Sequence, residues 1–549
     1  MRRSPALFAL LALGAAGAPL AAAPIAAAPA PPKAVVVKPA AAAPSAMLYN
    51  AAISAYKAGK YDVAVAKLRA YLKANPKDGD ARGFLGFIEL NQGGDVAQAV
   101  HDLALAVRLD PKNLASRSNY ASALMAQGRF KGAIPQLEAV AKQRPKDMSA
   151  QARLASCLAQ TGDYAKAAVL FGAVAKSPDC PAPVLSNAAL TLAHLQKYAE
   201  AGRLYERAAK LAPDDVIAWT GAGVCYSHAG QPADAARCLA RAIKLGPSDP
   251  YTARFLYGTA LAEIGRNDAA LTQFKYLTVL KPASYAAWYN LGLINQRLGN
   301  TQDAESAYQQ AVQLDPSQQQ ALLNLAGLQI SQGQASSAIA ELSGASAQEP
   351  KAAALHEALG VAYEAAGQTD SAIAQYHKTL VLQPADNVTR ARLAELYSQQ
   401  SKWADALVEY DILLKSFPKN DALLSQRGEI LTELGRYPEA LASLTEAVTI
   451  NPKNAIAWNN LGAVHEHMND KAAAIAAYKK AVALQPDLTQ AQKNLDRVTG
   501  AAPVPAPVPI APARTPAAPA PSPAAPPSNA LPSAQPSLPS PAAPHTAAP

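Results

Sequence analysis

The sequence lacks the common motifs that indicate a catalytic centre. It contains no phosphate-binding loop with its lysine, no His-Glu-x2-His pair and no Gly-x-Ser-x-Gly nucleophile turn. Its four cysteines include no Cys-x2-Cys pair, so the common zinc-binding spacings are missing as well. The sequence therefore predicts a chain that is not an enzyme, with no catalytic, metal-binding or cofactor-binding residues.

The excess of basic over acidic residues is small, and long apolar runs are scarce. Five basic residues, and no acid, lie in the flanks, at Arg2, Arg3, Lys33, Lys38 and Arg514. The net charge of the whole chain is +9, so subtracting these five leaves about +4 for the central region. A charge so small and dispersed argues against nucleic acid as a partner. The apolar N-terminal run is broken by Pro19 and Pro24 before it reaches the ~20 residues that span a membrane.

The N-terminus predicts an export signal. Arg2-Arg3 precede the short apolar run Ala6–Leu13, and small residues follow, as in cleaved signal peptides. We expect a signal peptide over residues 1–23, with its cleavage site left open, and an Ala/Pro-rich linker over residues 24–44. The Ala/Pro bias is typical of a GC-rich bacterium, so the predicted location is periplasmic or secreted, with no integral membrane segment after signal removal.

The C-terminal segment, residues 499–549, is rich in Pro, Ala and Ser and contains no acid. Such a composition cannot bury a core, so we expect a disordered tail with local polyproline II structure. Whether this tail is passive or docks on a proline-recognising partner is left open by the sequence.

The central region, residues 45–498, repeats one unit. The unit is clearest over Tyr285–Pro316, where two amphipathic helical patterns flank Gly299-Asn300 and Pro316 ends the second helix. Closing prolines recur at steps of 34 or 35 residues, apart from one double step, at Pro76, Pro111, Pro145, Pro213, Pro247, Pro282, Pro316, Pro350, Pro384, Pro418, Pro452 and Pro486. An alanine lies twelve residues before each proline, and Ala167 holds that place inside the double step, so we count thirteen units.

The pattern Trp-x2-Leu-Gly, followed by Ala-x3-aromatic and then Pro, resembles the tetratricopeptide repeat. It is clearest at Trp288, Leu291 and Gly292 with Ala304 and Tyr308. The resemblance implies an all-α fold: an α-solenoid, a right-handed superhelix of about 13 helix–turn–helix repeats between disordered Ala/Pro-rich flanks. It also implies that the first helix of each repeat lines a concave groove.

Six asparagines recur on the predicted groove. When the closing proline is numbered 32, the resemblance places repeat positions 2, 5, 6, 9, 12 and 13 on the groove. Position 6 is asparagine at Asn50, Asn119, Asn187, Asn290, Asn324 and Asn460. An amide can bond a peptide main chain without reading its sequence, and the row resembles the asparagine ladder in the repeats of O-linked N-acetylglucosamine transferase. Solvent-facing or capping asparagines are the alternative interpretation.

The predicted groove is asymmetric in chemistry. The early repeats offer Tyr49, Tyr56 and Phe87, whereas the late repeats offer Glu395, Glu429 and Glu433. We therefore hypothesise an extended ligand whose apolar part meets the early repeats and whose basic part meets the late ones.

These features predict a non-enzymatic scaffold that binds extended peptide segments or partner proteins in the bacterial envelope. The alternatives are an accessory scaffold of exopolysaccharide synthesis or export, and a regulatory arm of a separate glycosyltransferase. The sequence does not indicate an oligomeric state.

The spacing of the cysteines and of two neighbouring histidines predicts neither a disulfide nor a metal site. Cys157 and Cys225 occupy the same first-helix position, and we expect buried free thiols, with a Cys225–Cys238 disulfide as the alternative. His465 and His467 would lie ~200° apart around a helix, so they cannot share one ion.

Overall fold

The computed structural model describes residues 44–91 and 95–500, and within these ranges it contains 27 helices and no strand. The predicted signal peptide and nearly all of the linker lie outside the described residues, as does the tail after residue 500. The described part divides into a first unit, residues 44–282, and a second unit, residues 283–500. None of the helices in this part is long and apolar enough to cross a bilayer.

The first unit contains seven repeats, each made of a first and a second helix. Its helices are α1 Pro44–Lys57, α2 Tyr61–Ala74, α3 Gly79–Asn91, α4 Val96–Leu109, α5 Leu114–Ala126, α6 Phe130–Gln143, α7 Met148–Gln160, α8 Tyr164–Val174, α9 Ala182–His194, α10 Tyr198–Leu211, α11 Val216–His228, α12 Pro232–Leu245, α13 Pro250–Glu263 and α14 Asn267–Leu280. Odd numbers therefore denote first helices, and even numbers denote second helices.

The second unit contains six repeats and a final single helix. Its helices are α15 Tyr285–Arg297, α16 Thr301–Leu314, α17 Gln319–Ser331, α18 Ala335–Gln348, α19 Ala353–Ala365, α20 Thr369–Leu382, α21 Asn387–Gln399, α22 Trp403–Ser416, α23 Asp421–Glu433, α24 Tyr437–Ile450, α25 Ala455–His467, α26 Lys471–Leu484 and α27 Thr489–Thr499. The predicted all-α solenoid is confirmed, since the helix pairs follow the sequence repeat along both units.

In about half of the repeats, close packing of the two helices depends on a glycine in the first helix, and the other repeats have alanine at that position. A Cβ atom added to Gly292 would lie 2.6 Å from the ring of Tyr308, and one added to Gly223 would lie 2.4 Å from Leu239. Real Cβ atoms do not approach so closely, so a larger residue would force the two helices apart. Ala304 is fully buried beside this contact, as expected for the alanine that marks each repeat.

The turn between the two helices requires a left-handed backbone. Gly299 has a φ of 78°, and glycines at the same turn position in other repeats behave alike. Gln196 and Ser401 adopt this conformation without being glycine, with φ values of 60° and 56°. Both residues therefore carry backbone strain that a glycine would avoid.

The repeat without a closing proline in register is a loop variant. Its second helix, α8, ends at Val174, and a short loop leads to Pro181. Arg207 of the next second helix donates hydrogen bonds to the carbonyl oxygens of Ala175, Ser177 and Pro178 and holds this loop. The missing helical turn is thus replaced by side-chain hydrogen bonds.

Candidate functional site

In each unit, the first helices of several successive repeats contact one another and form a wall. In the first unit α3 contacts α5, α7 contacts α9, α9 contacts α11 and α11 contacts α13; in the second unit α17 contacts α19 and α23 contacts α25. Within the described residues, no two second helices of successive repeats pack together as closely. Each unit therefore has an inner face, which we define as the face formed by its first helices.

In the first unit, two of the three asparagines of the predicted row are accessible. Asn50 and Asn119 are half-buried, whereas Asn187 is 8% exposed. The side-chain oxygen of Asn50 is buried and accepts no hydrogen bond from the described residues. These amides keep some capacity to bond a ligand.

In the second unit, the asparagines of the row bond the protein itself. Asn290 is 1% exposed, and its Nδ2 donates to the Ala286 carbonyl at 2.8 Å. Asn324 Nδ2 lies 3.4 Å from the hydroxyl oxygens of both Tyr289 and Tyr308. The sequence showed the spacing of these amides but not the hydrogen-bond partners that they have within and between helices.

Asn460 belongs to a buried polar chain that crosses three first helices. Its Nδ2 donates to Glu429 Oε2 at 3.2 Å, and its Oδ1 accepts from Asn459 at 3.2 Å. Asn494 of α27 then donates to Asn459 Oδ1 at 3.0 Å. The chain links α23, α25 and α27, so these amides hold the inner face of the second unit together.

The predicted aromatic residues form the core of the first two repeats. Tyr49 and Phe87 are each 4% exposed, and Tyr56 is half-buried. The ring of Tyr56 meets that of Phe84 edge-on at 5.2 Å, and burial raises the pKa of Tyr49 to about 12. Tyr56 is thus the aromatic of this group that is most open to a ligand.

The three predicted acids differ in burial. Glu433 is exposed and Glu395 is half-buried, whereas Glu429 is 7% exposed. Burial raises the pKa of Glu429 to about 8, although the hydrogen bond from Asn460 works in the opposite direction. Glu429 is therefore largely uncharged at neutral pH and adds little to an acidic field.

Other acids of this face are held by donors of neighbouring helices. The Tyr376 hydroxyl donates to Glu364 at 2.6 Å, and Arg392 pairs with the same carboxylate at 3.5 Å. Glu466 likewise accepts hydrogen bonds from Tyr478 and Arg497. The second unit thus neutralises much of its own inner-face charge.

An arginine of the first unit was missed by the reasoning from sequence. Arg153 occupies position 6 on α7, where six repeats have asparagine, and its side chain extends to Ser118 and Ser122 of α5. It is only 5% exposed. The signal in the sequence was the change from an amide to a guanidinium within the row.

A structural pairing rule was missed as well. Side chains six residues after the closing proline donate to its carbonyl, or contact it, at Arg82, Arg117, Gln151, Trp219, His356, Arg390 and Trp458. When this residue is an arginine, its second nitrogen also reaches a polar side chain of the second helix, as with Arg117 and Gln136 or Arg390 and Glu409. When it is tryptophan, that partner position holds the small residues Cys238 or Ala477.

The cysteines and histidines have structural surroundings. All four cysteines are free and buried, which agrees with the expectation of buried thiols, and burial raises the pKa of Cys225 to about 12. His467 stacks on Tyr437 with the ring centroids 5.1 Å apart, and His465 lies 3.7 Å from the carboxylate of Asp470. In residues 44–91 and 95–500, no three side chains are grouped to hold a metal ion.

Sequence models of known families match along most of the repeat region. Models of the tetratricopeptide repeat match residues 49–113 and 121–181, 192–256, 428–469 and 455–488. A model of the middle domain of cilia and flagella-associated protein 70, described as tetratricopeptide-repeat-like, matches residues 262–384. The chain is a tetratricopeptide-repeat protein. No curated protein sequence gives a significant match to it.

Several solved structures are similar to this tetratricopeptide-repeat protein. The Naa15/Naa10 complex bound to HypK-THB is 16% identical, with 84% of this chain and 79% of the other covered and a TM-score of 0.34. The APC/C hetero-tetramer Cut9-Hcn1 is 15% identical, with 83% of this chain and 96% of the other covered and a TM-score of 0.30. Yeast Tom70 is 17% identical, with 83% of this chain and 95% of the other covered and a TM-score of 0.28.

Proposed function

We propose that this tetratricopeptide-repeat protein is a non-enzymatic scaffold that binds an extended segment of a partner protein on the inner face of its first unit. The observation that carries the proposal is the wall of first helices, because it brings polar side chains from successive repeats into one row. An extended segment presents one main-chain N–H and one C=O per residue, which such a row can bond at regular intervals.

Unpaired polar atoms on the first helices support this proposal. In the first unit, buried oxygen atoms without a hydrogen-bond partner among the described residues recur at positions 5 and 6, in Asn50, Ser186 and Thr220. Leaving such an atom unpaired costs about 1–3 kcal/mol. A bound main chain offers the missing hydrogen bonds at those positions that it can reach.

The accessible residues define where the segment would bind. Asn119 is half-buried on α5, and Ser118, Ser122 and Met125 of the same helix are half-buried too. Tyr56 extends this surface towards the start of the unit, where it contacts Phe84. In contrast, Asn460 is fully buried, so a ligand would have to displace its hydrogen bonds to use it.

The proposal includes export to the bacterial envelope. Its support is the N-terminal pattern of a basic pair, an apolar run and small residues. Cell fractionation and N-terminal sequencing of the mature chain test this part: export predicts a periplasmic or secreted chain that has lost residues near 1–23. A full-length chain in the cytoplasm would contradict it.

Photo-crosslinking in the producing cells tests the binding face. A photoreactive phenylalanine analogue replaces Asn119 on the inner face or, as the control, Val169 on the second helix α8, where it is 73% exposed. We expect crosslinked partners from position 119 and none in common from position 169. Equal crosslinking from both positions, or crosslinking from the second helix alone, would contradict the proposal.

A further inference from the structure

We propose that this protein associates with itself, because the surface of the second helices in the first unit of one copy binds the surface of the second helices in the second unit of another copy. This inference goes beyond the proposed function and does not depend on it. It concerns the second helices instead of the first, and its partner is a second copy of this chain.

The two units carry net charges of opposite sign. Residues 44–282 contain 29 Lys and Arg against 19 Asp and Glu, which gives +10. Residues 283–500 contain 16 Lys and Arg against 22 Asp and Glu, which gives −6. The small net charge of the repeat region therefore conceals two larger charges, and surfaces of opposite charge attract and orient one another.

The second helices account for most of this difference. Those of the first unit, α2, α4, α6, α8, α10, α12 and α14, carry +7 in total, and we call their exposed surface the basic outer face. The helices α16, α18, α20, α22 and α24 of the second unit carry −7 in total, and we call their exposed surface the acidic outer face. The last second helix, α26, contains three lysines and no acid, so it is not part of the acidic outer face.

Charges on both outer faces are available to another molecule. Three exposed bases of the basic outer face form no ion pair with a described residue, namely Lys142, Arg203 and Lys244. Three exposed acids of the acidic outer face likewise form none, namely Asp303, Asp405 and Glu446. These six charges differ from buried ones such as Glu206, which already pairs with Lys210 and Arg237.

Neither solubility nor the helix dipole explains the separation of charge. A soluble surface needs exposed charges, but it does best with both signs interspersed. The dipole favours bases in the last turn of every helix and acts alike in both units. Five second helices of the first unit have such a base, whereas only α22, with Lys415, has one among the helices of the acidic outer face. The difference between the units therefore needs another cause.

Exposed valines add an apolar component to both outer faces. Val169 on α8 and Val408 on α22 are 73% and 56% exposed, and each is the sixth residue of its helix. Val279 on α14 and Val381 on α20 are 80% and 79% exposed, and each is the thirteenth residue. Contact between two copies would remove this apolar surface from water. Protein interfaces commonly combine such contacts with a charged rim.

A second copy is the partner that fits both outer faces. A bilayer with anionic lipids would attract the basic outer face only, and it would repel the acidic one. Each outer face places its charges on helices that recur once per repeat, so the two faces present charges at the same interval. Because the contact joins two different surfaces, a dimer keeps one free face of each kind, and association continues to longer oligomers.

Sedimentation velocity of the purified chain tests whether it associates. At about 20 mM salt, we expect the average mass to rise with protein concentration. At about 500 mM salt, where exposed charges are strongly screened, the mass should fall towards that of the monomer. A chain that stays monomeric at all concentrations in low salt, or an association that does not respond to salt, would overturn the proposal.

Two variants show whether the outer faces are the surfaces in contact. The first reverses three bases of the basic outer face and the second reverses three acids of the acidic outer face, all at exposed sites: Lys142→Glu, Arg203→Glu and Lys244→Glu, and Asp303→Lys, Asp405→Lys and Glu446→Lys. Each set shifts its face by six charges, to +1 or to −1. Each variant alone should self-associate about tenfold or more weakly than the native chain.

A mixture of the two variants gives the sharpest result. Each variant keeps one native outer face that the other can bind, so an equimolar mixture should form a 1:1 complex that does not grow further. As the control, Lys57→Glu, Lys112→Glu and Lys146→Glu together make the same change in net charge at exposed residues outside the second helices, and this variant should associate like the native chain. A mixture without a complex, or a control as weak as the two variants, would overturn the proposal.

Photo-crosslinking supplies a test that needs no charge reversal. A photoreactive analogue at Val169, on the basic outer face, should crosslink to α16–α24 of another copy at low salt and not at high salt. Crosslinks confined to other surfaces would overturn the proposal. So would a native chain that remains monomeric and binds vesicles with anionic lipids, because the basic outer face would then serve a membrane. Neither result affects the partner that crosslinks from position 119, so the proposed function is judged separately.

Discussion

The inner faces of the two units use charge in opposite ways. In the second unit, Glu364 and Glu466 are each held by a tyrosine and an arginine of neighbouring helices. In the first unit, Arg153 is buried against serine hydroxyls and has no acid beside it. A count of charged residues along a groove therefore does not give the charge that a ligand meets, because internal pairing decides which charges remain available.

This difference changes the expectation for the ligand. The acids of the late repeats suggested a basic segment, yet Glu429 is largely uncharged at neutral pH and other acids of that face are paired. The first unit, in turn, contains the guanidinium of Arg153, which bonds serine hydroxyls and forms no ion pair with a carboxylate of the described residues.

The largest expected effect is the pH dependence that Glu429 imposes on the second unit. Its pKa is raised from 4.5 to about 8, so the folded state holds a proton that the unfolded chain releases. Stability is then lost as the pH rises from about 4.5 to 8 and stays low above it. Glu429→Gln keeps an acceptor for Asn460, and it should stabilise the second unit by a few kcal/mol at pH 9 and hardly at pH 5.

Urea unfolding at both pH values, followed by hydrogen exchange of the α23 and α25 amides, measures this effect. Glu433→Gln, on the exposed side of α23, is the control; because the charge of Glu433 contributes to the raised pKa of Glu429 less than burial does, this variant should show only a small change. A Glu429→Gln variant with the pH profile of the native chain would mean that Glu429 is ionised and that the second unit does present its charge.

The next effect compares the two arginines at position 6. Arg392→Met leaves Glu364 with one donor fewer and should destabilise the second unit by about 1–3 kcal/mol. Arg153→Met removes a buried charge that has no counter-ion, so it should change the stability of the first unit by less than about 1 kcal/mol or raise it. Hydrogen exchange of the amides in α7 and α21 reports each unit separately. If Arg153→Met destabilises the first unit more than Arg392→Met destabilises the second, the two arginines do not differ in the way described.

The smallest effect tests whether a positive φ at the turn costs the same free energy of folding in both units. Gln196→Gly in the first unit and Ser401→Gly in the second relieve a positive φ at the same turn position. Each should stabilise its repeat by about 1 kcal/mol. Gly435→Ser, with a φ of 70°, should lose a similar amount. Chemical denaturation measures the gain in the free energy of unfolding. Unequal gains would show that the units differ in more than their inner-face side chains.

Much of the fold could be predicted because its causes are local and repeated. The closing prolines, the turn glycines and the alanine of each second helix mark the helix ends and the contact between paired helices. Gly292 illustrates this, since the repeat pattern marks it and a Cβ atom there would lie 2.6 Å from the ring of Tyr308 in the same repeat. The pairing of residues such as Arg390 and Glu409 was also available from the sequence, as both recur at fixed repeat positions.

The candidate site was harder to predict because its state depends on neighbours from other repeats. The sequence predicted Asn460 as an amide that could bond a ligand, whereas in the structure it is bonded to Glu429 and Asn459. The repeat numbering places Tyr49 and Phe87 on the groove, but both are buried in the hydrophobic core of the first two repeats. Burial and pairing follow from how side chains of adjacent helices meet, and one repeat does not specify that.

The central claim is that an extended segment binds on the first helices of the first unit. A crystal structure of the full chain with a peptide from the partner that crosslinks at position 119 tests it most directly. The account predicts an extended peptide along the first helices of the first unit, bonded by Asn119. A peptide bound to the second helices would contradict it.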